Sequence, residues 1–119
     1  MKNLEQIRAR NALQAMGEGF KGQHAGDALT GFPALIVNNG LLAAIAFSLK
    51  NGGGHENICN AIARHLADPE VGLAKLGNNK KAGDLVSFLV NSDSQVLRLC
   101  TAEALAFLNY LRRFEKAKK

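Results

Sequence analysis

The residues that could do chemistry are few in this sequence, and their spacing completes no catalytic or metal site. His55 and Cys59 have the i, i+4 spacing that places two metal ligands on one face of a helix, but no second pair completes a zinc site. His24 and Asp27 could move protons, although one isolated pair is weak evidence for acid–base catalysis. The acids are scattered, and no phosphate-binding glycine motif occurs. We therefore predict no enzyme activity, no catalytic residue, no metal and no cofactor.

A strip of positive charge on the last predicted helix is the stronger candidate for a functional site. On a helical wheel, one half of residues 92–119 is apolar and must face the core. The opposite arc is polar and basic, with Gln95, Arg98, Asn109, Arg112, Arg113, Lys116 and Lys119. Both acids of this helix, Glu103 and Glu115, fall outside that arc. Spaced Arg and Lys side chains neutralise backbone phosphates, so this cationic strip predicts a nucleic-acid contact, with an ordinary solvated face as the alternative.

Other basic residues could extend this surface. Lys50 precedes a run of glycines, Lys80 and Lys81 lie in a polar loop, and Arg8 and Arg10 belong to the first helix. Aromatic side chains do not suggest a base-stacking platform, because the pattern places Phe47, Phe88, Phe107 and Phe114 in the core. Phosphate contacts are therefore the favoured mode of binding.

The elements that carry these residues are helices. The 119 residues include 18 Ala and 17 Leu but only 12 Val, Ile and Thr together, which favours helix over strand. With 47% apolar residues and a net charge of +5, we expect one domain, 1–119, folded as a compact all-α bundle of about five to six helices with a long C-terminal helix. Cys59 and Cys100 fit free thiols, and the first ten residues lack the apolar core of a signal peptide, so we expect a cytoplasmic protein.

Caps and breakers predict the helix boundaries. We expect helices over 3–16, 33–50, 55–67 and 84–91, with Asp84 as an N-cap, and a last helix that begins with a capping box of Ser92 and Gln95. Residues 18–32 are rich in glycine and should form a loop. The apolar segment 32–49 is nearly long enough to cross a membrane, but its central Asn38, Asn39 and Gly40 favour a buried central helix. There, a neighbouring helix would pack close to Gly40, and one amide would pin an adjacent loop.

Three stretches of the sequence resemble one family. FPALIVNNGLLAAIAF is similar to its pattern of a proline, a Leu/Ile pair, Asn-Gly-Leu and Ala-Phe, and LEQIRARNA is similar to its opening helix. VLRLCTAEALAFLNYLRRFEKAKK resembles its last helix, although Leu97 stands where an aromatic is expected and Tyr110 where Trp is common. The family is that of the small helical subunit of type III-B CRISPR RNA-silencing complexes, the Cmr small subunit, which acts in antiviral defence.

The resemblance implies a non-catalytic subunit whose copies stack in a minor filament beside larger subunits that hold the guide RNA. Its expected partners are other Cmr subunits, further copies of itself and the backbone of the guide and target RNA, and no membrane. On this basis Arg98, Arg112, Arg113 and Lys116 would face RNA, with Lys50, Lys80 and Lys81 as further contacts. The alternatives are a helical protein–protein scaffold without nucleic-acid binding, a DNA-binding regulator and an unrecognised ribonuclease.

Overall fold

Helices make up all the regular secondary structure in the computed structural model, which describes residues 3–20 and 28–117. In chain order the helices are α1 (Leu4–Ala15), α2 (Ala28–Asn39), α3 (Leu41–Asn51), α4 (Gly53–Ala67), α5 (Ala82–Val90) and α6 (Ser94–Ala117). Within the described part of the chain there are six helices and no strand, which confirms the prediction of an all-α bundle with a long last helix.

Helix α6 is the longest of the described helices and packs against three of the others. Its 24 residues span about 36 Å, and it contacts α1, α2 and α4. Its inward face is fully buried at Cys100, Ala104, Phe107, Leu108 and Leu111. This buried face is the apolar half of the predicted wheel, so the opposite half must face solvent.

Two predicted helix caps are wrong by a small shift. Helix α6 is capped by Asp93, whose Oδ1 accepts a hydrogen bond from the Val96 amide at 3.0 Å, whereas the Ser92 hydroxyl donates to the Phe88 carbonyl. Helix α5 begins at Ala82, so Asp84 lies inside its first turn and accepts a hydrogen bond from the Lys81 amide at 3.2 Å. At α6 the cap is thus one residue later than predicted, and α5 begins two residues before Asp84.

The predicted central helix is in fact two helices. Gly40 has a φ of +92°, a left-handed conformation that suits glycine, and it separates α2 from α3. Apart from the chain neighbours of Gly40, no atom of the described residues lies within 4 Å of the position that its Cβ would occupy, so close packing among them does not explain the glycine. Asn38 and Asn39 are exposed, and the Asn39 amide donates only to the Leu35 carbonyl of its own helix. The buried hub and the pinned loop predicted there are therefore wrong.

Helix α2 also begins earlier than its proline suggested. Residues 28–32 were expected to form a loop, but Ala28, Leu29 and Phe32 are buried and belong to the helix. Burying these side chains outweighs the low helix propensity of Gly31. The two resulting helices have 12 and 11 residues, and no helix among the described residues has both the length and the apolar character needed to cross a bilayer.

The core contains most but not all of the predicted residues. Both cysteines are buried free thiols, as expected. Phe107 is completely buried, and Phe88 and Phe114 pack against the core from partly buried positions. Phe47 is 44% exposed, which contradicts its predicted core position.

Candidate nucleic-acid interface

The cationic strip lies on the solvent-facing side of α6. Arg98, Arg113 and Lys116 are exposed, and so are the polar Gln95 before them and Asn109 between them. Arg112 is half-buried, while Lys119 lies outside the described residues. Arg98 and Lys116 are 18 positions apart, which corresponds to about 27 Å along the helix. Since α6 is a continuous helix, it holds these charges in a fixed order along one side.

The charges of the strip are not neutralised within the part of the chain that the structure describes. No ion pair there involves Arg98, Arg112, Arg113 or Lys116. Arg98 donates to Gln95 Oε1 at 2.7 Å, a neutral acceptor that leaves its charge uncompensated. The Nε of Arg112 is shielded from solvent and has no hydrogen-bond partner among the described residues, in keeping with the half-buried position of this side chain. Arg98, Arg113 and Lys116 are thus the exposed cations of the strip.

The acids of α6 point elsewhere. Glu103 is buried and bound to Arg8, and Glu115 accepts a hydrogen bond from the Gly17 amide at 2.9 Å. Both carboxylates are held by contacts with the start of the chain. This placement keeps negative charge away from the strip and confirms the charge separation seen on the helical wheel.

Lys80 is exposed and lies outside α6, before the start of α5. Lys80 lines a cleft of about 450 Å³ with residues of α1 and α4, among them the buried His65. His65 contacts Glu103, which lies about 140° around α6 from Arg98. The cleft is thus lined by α1, α4 and residues that follow α4, and not by the strip residues of α6.

Lys81 and Lys50 are also exposed, but on other elements. Lys81 precedes α5, and Lys50 lies in the last turn of α3, which packs against α2, α4 and α5. The seven predicted RNA-binding residues thus divide into a strip of four on α6 and three lysines on other parts of the surface.

The basic residues of α1 are engaged by acids. Arg8 donates two hydrogen bonds of 2.7 Å to the two carboxylate oxygens of Glu103. Arg10 pairs with both Asp68 and Glu70 at 2.6 Å. The hydrogen bond with Glu103 raises the pKa of Arg8 despite partial burial. Both guanidinium groups are therefore unavailable as free phosphate ligands, which removes them from the basic surface that the sequence suggested.

A buried polar network links these pairs, and the sequence did not predict it. The Nε2 of His65 lies 2.8 Å from Glu103 Oε2, and its Nδ1 lies 2.9 Å from the Asn11 amide nitrogen, which also donates to Asp68 at 3.0 Å. The His65 ring stacks on Phe107 with centroids 4.5 Å apart. Burial disfavours the ionised form of Glu103, but hydrogen bonds from Arg8 and His65 together hold its pKa at about 2. One feature of the sequence indicates this network: Glu103 falls in the apolar half of α6, and a buried acid needs hydrogen-bond partners.

The weak metal and acid–base candidates gain no support. The half-buried His55 ring packs perpendicular to Phe47, with centroids 5.2 Å apart. Burial raises the pKa of the Cys59 thiol to about 11, which disfavours the thiolate that binds metals. No group of three His, Cys, Asp or Glu residues that could hold a metal ion occurs within residues 3–20 and 28–117. His24 and Asp27 lie outside the described residues.

Comparison with known proteins gives one match. A protein-family model described as CRISPR-associated protein (Cas_Cmr5) matches residues 4–118, which is nearly the whole chain. No curated protein and no solved structure matches the chain. The family match covers the three stretches on which the resemblance was based, except for the last residue, Lys119.

Proposed function

The chain belongs to the Cas_Cmr5 family of CRISPR-associated proteins, the small subunits of type III-B Cmr complexes, and we propose that it contacts the guide–target RNA there through its cationic strip. In this proposal the chain is a non-catalytic cytoplasmic subunit. Its copies stack in a minor filament beside the other subunits, so that the strips of successive copies follow the RNA backbone. Cleavage of RNA belongs to other subunits.

The observation that carries the proposal is the strip of exposed cations on α6. Packing of the apolar side of a helix against the core does not determine which polar residues occupy its solvent-facing side. Here that face carries four cations over about 27 Å, and the two acids of the helix are bound on other sides. Such an arrangement suits an extended polyanion, because phosphate contacts need positive charge at intervals and no sequence-specific geometry.

The strip should contribute unequally along its length. Arg113 and Lys116 are exposed and lie within one turn of each other, so they should carry most of the phosphate contact. Arg98 adds a contact four to five turns away at the N-terminal end of α6, and Arg112 adds the positive charge of a half-buried guanidinium. The RNA backbone would contact the other three predicted residues only where it runs beyond the strip; these are Lys50, Lys80 and Lys81.

The test compares two charge reversals of equal size. Arg113→Glu changes the strip, whereas Lys75→Glu changes an exposed lysine in the connection between α4 and α5, and each lowers the net charge of +5 by two. Binding of a fluorescent 20-base-pair RNA duplex is measured by anisotropy over a series of KCl concentrations, for the isolated chain and for the assembled complex. We expect Arg113→Glu to make the slope of log K against log salt less steep by about one, because one phosphate contact is lost.

Lys75→Glu should leave that slope unchanged. Equal effects of the two variants would mean that only net charge matters, and no effect of either would favour the alternative of a protein–protein scaffold without direct nucleic-acid binding. A circular dichroism spectrum of each variant checks that the fold is intact. Filament formation is tested separately by sedimentation of the assembled complex, in which more than one copy of the chain is expected.

A further inference from the structure

The cleft between α1 and α4 contains polar groups that the cationic strip does not include. Its volume of about 450 Å³ lies within the range of about 300–1,000 Å³ that is usual for small-molecule pockets. The apolar residues among its described lining are small, and they are Ala15, Ala61 and Pro69. The other lining residues are polar or charged, so the cleft suits a small polar ligand.

Some of these polar side chains already bind one another. Both ring nitrogens of His65 are engaged in the buried network described above. Asp68 Oδ2 accepts hydrogen bonds from Arg10 and Asn11, at 2.6 and 3.0 Å. Asp68 Oδ1 accepts one from the Glu70 amide at 2.9 Å. Asp68 is the one acid among the described lining residues, and both of its oxygens are therefore occupied.

Three further side chains of the lining keep unused hydrogen-bond donors, and two of them are cations. Within residues 3–20 and 28–117, no hydrogen bond or ion pair involves Gln14 or Lys80. Arg64 is bound there only to Glu18, through Nη2, so its Nε and Nη1 remain unused. No unused acid of the lining accompanies these donors, which favours an anion as the ligand.

A carboxylate of the chain itself indicates the chemistry that suits Arg64. Both carboxylate oxygens of Glu18 lie 2.6 Å from Arg64 Nη2. The carbonyls of Glu18 and Gly19 accept hydrogen bonds of 2.9 Å from the Asn57 amide on α4, which holds this segment beside Arg64. The Glu18 side chain is 35% exposed, and an exposed ion pair contributes little to stability. An anionic ligand can therefore compete with Glu18 for Arg64.

We propose that the cleft is a binding site for a small phosphate monoester. Arg64 and Lys80 bind the phosphate oxygens, and Gln14 binds the group that is esterified to the phosphate. Arg presents several donors in a planar fork that matches phosphate, and Lys adds a compact positive charge. The cleft is larger than one phosphate group, so room remains for a polar group such as a sugar.

The charge of the ligand favours a monoester over the alternatives. A phosphate monoester carries about 1.5 to 2 negative charges at pH 7 and three strong acceptor oxygens, so it can satisfy both cations. A single carboxylate, like that of Glu18, can satisfy only one. An internal phosphate of RNA is a diester with one charge, and its strand continues on both sides, so it suits the open strip better than a cleft. The proposal does not rest on the proposed function.

Ribose 5-phosphate is the probe in the experiment, and ribose is the matched ligand that lacks the phosphate. Each is titrated at constant ionic strength into the isotopically labelled chain, and its backbone amide resonances give the dissociation constant and the residues affected. Arg64→Gln and Lys80→Gln each remove one proposed phosphate ligand. Lys75→Gln is the matched control, because Lys75 is exposed in the same α4–α5 connection as Lys80 but is not among the lining residues.

We expect ribose 5-phosphate to shift the amide resonances of the lining residues, and ribose to leave them unchanged. Arg64→Gln and Lys80→Gln should each weaken binding by about tenfold, the effect of losing one charge-assisted hydrogen bond. Glu18→Gln should strengthen binding by about two- to fivefold, because it removes the competing carboxylate of an exposed ion pair. Lys75→Gln should bind like the native chain.

Other outcomes would overturn the proposal. Equal losses in Lys75→Gln and Lys80→Gln would mean that only net charge matters, and equal binding of ribose and ribose 5-phosphate would mean that the phosphate contributes nothing. Unchanged or weaker binding by Glu18→Gln would show that Glu18 does not compete with the ligand. Circular dichroism checks the fold of each variant. Glu18 and Lys80 are exposed, so their variants test the proposal even if Arg64→Gln fails to fold.

The same variants separate this proposal from the proposed function. Arg113→Glu should bind ribose 5-phosphate like the native chain, and Arg64→Gln should keep the native salt dependence of binding to the 20-base-pair RNA duplex. If Arg64→Gln weakened binding of the duplex but not of ribose 5-phosphate, the cleft would be an RNA contact and the proposal would be wrong. A failure of the RNA prediction for Arg113→Glu alone would leave the effects of Arg64→Gln and Glu18→Gln on ribose 5-phosphate unchanged.

Discussion

Replacing Glu103 by Gln should destabilise the protein strongly at neutral pH and much less in acid. The Glu103 side chain is only 6% exposed, and it accepts two hydrogen bonds from Arg8 and one contact of 2.8 Å from His65. Gln keeps the shape of the side chain but removes its charge and turns one acceptor into a donor. Arg8 and His65 would then lack a charged partner in a buried place, a change that usually costs about 3–5 kcal/mol.

The pKa of Glu103 gives an independent estimate of the same magnitude. The carboxyl pKa falls from 4.5 to about 2 in the folded protein, because the hydrogen bonds from Arg8 and His65 outweigh the opposing effect of burial. A difference of this size corresponds to about 3 kcal/mol of folding free energy. Since the folded-state pKa is depressed, this contribution is complete above the unfolded pKa of 4.5 and is lost as the pH falls toward 2.

The assay is urea unfolding followed by circular dichroism, for the native chain and Glu103→Gln, between pH 7 and pH 2.5. We expect a loss of about 3 kcal/mol at pH 7 that shrinks to about 1 kcal/mol at the acid end. Glu70→Gln is the matched control, because the Glu70 side chain is 46% exposed in its pair with Arg10 and should change stability by less than about 1 kcal/mol. A loss at pH 7 no larger than that of the control, or one independent of pH, would refute the reasoning.

Two further predictions concern the other helices. Gly40→Ala should lower the free energy of unfolding by about 1–2 kcal/mol, because φ is +92° at this position. Asn39→Ala, in the same helix–helix junction, should change the free energy of unfolding by less than about 0.5 kcal/mol. Equal effects of the two variants in urea unfolding would contradict the positive φ at Gly40. Cys59 should resist alkylation by iodoacetamide at pH 8 in the native protein and react in urea, since burial raises its pKa to about 11. Mass spectrometry measures the rate of alkylation in the two states. Equal rates would show that the thiol is accessible in the native protein.

The sequence predicted well wherever a helix is long and its pattern is periodic. Helices α1, α4 and α6 lie close to their predicted bounds, because apolar spacing and flanking Gly, Asp and Pro residues mark them. The break at Gly40 was missed, since the apolar residues on both sides of it fit one continuous helix equally well. The wheel of α6 correctly separated its buried face from its basic face, while the exposure of Phe47 contradicted a pattern that pointed to the core.

The sequence by itself determined the helical class, the resemblance to the Cmr small subunits and the strip of cations on α6. All three depend on composition and on the spacing of residues within short stretches, and both can be read from the sequence without knowing how the helices pack. Only the tertiary structure decided which cations remain free. Arg8 meets an acid 95 positions away and Arg10 one 58 positions away, whereas Arg113 and Lys116 meet none among the residues described. Ion pairs between such distant residues depend on how the helices pack, and no local pattern encodes that packing.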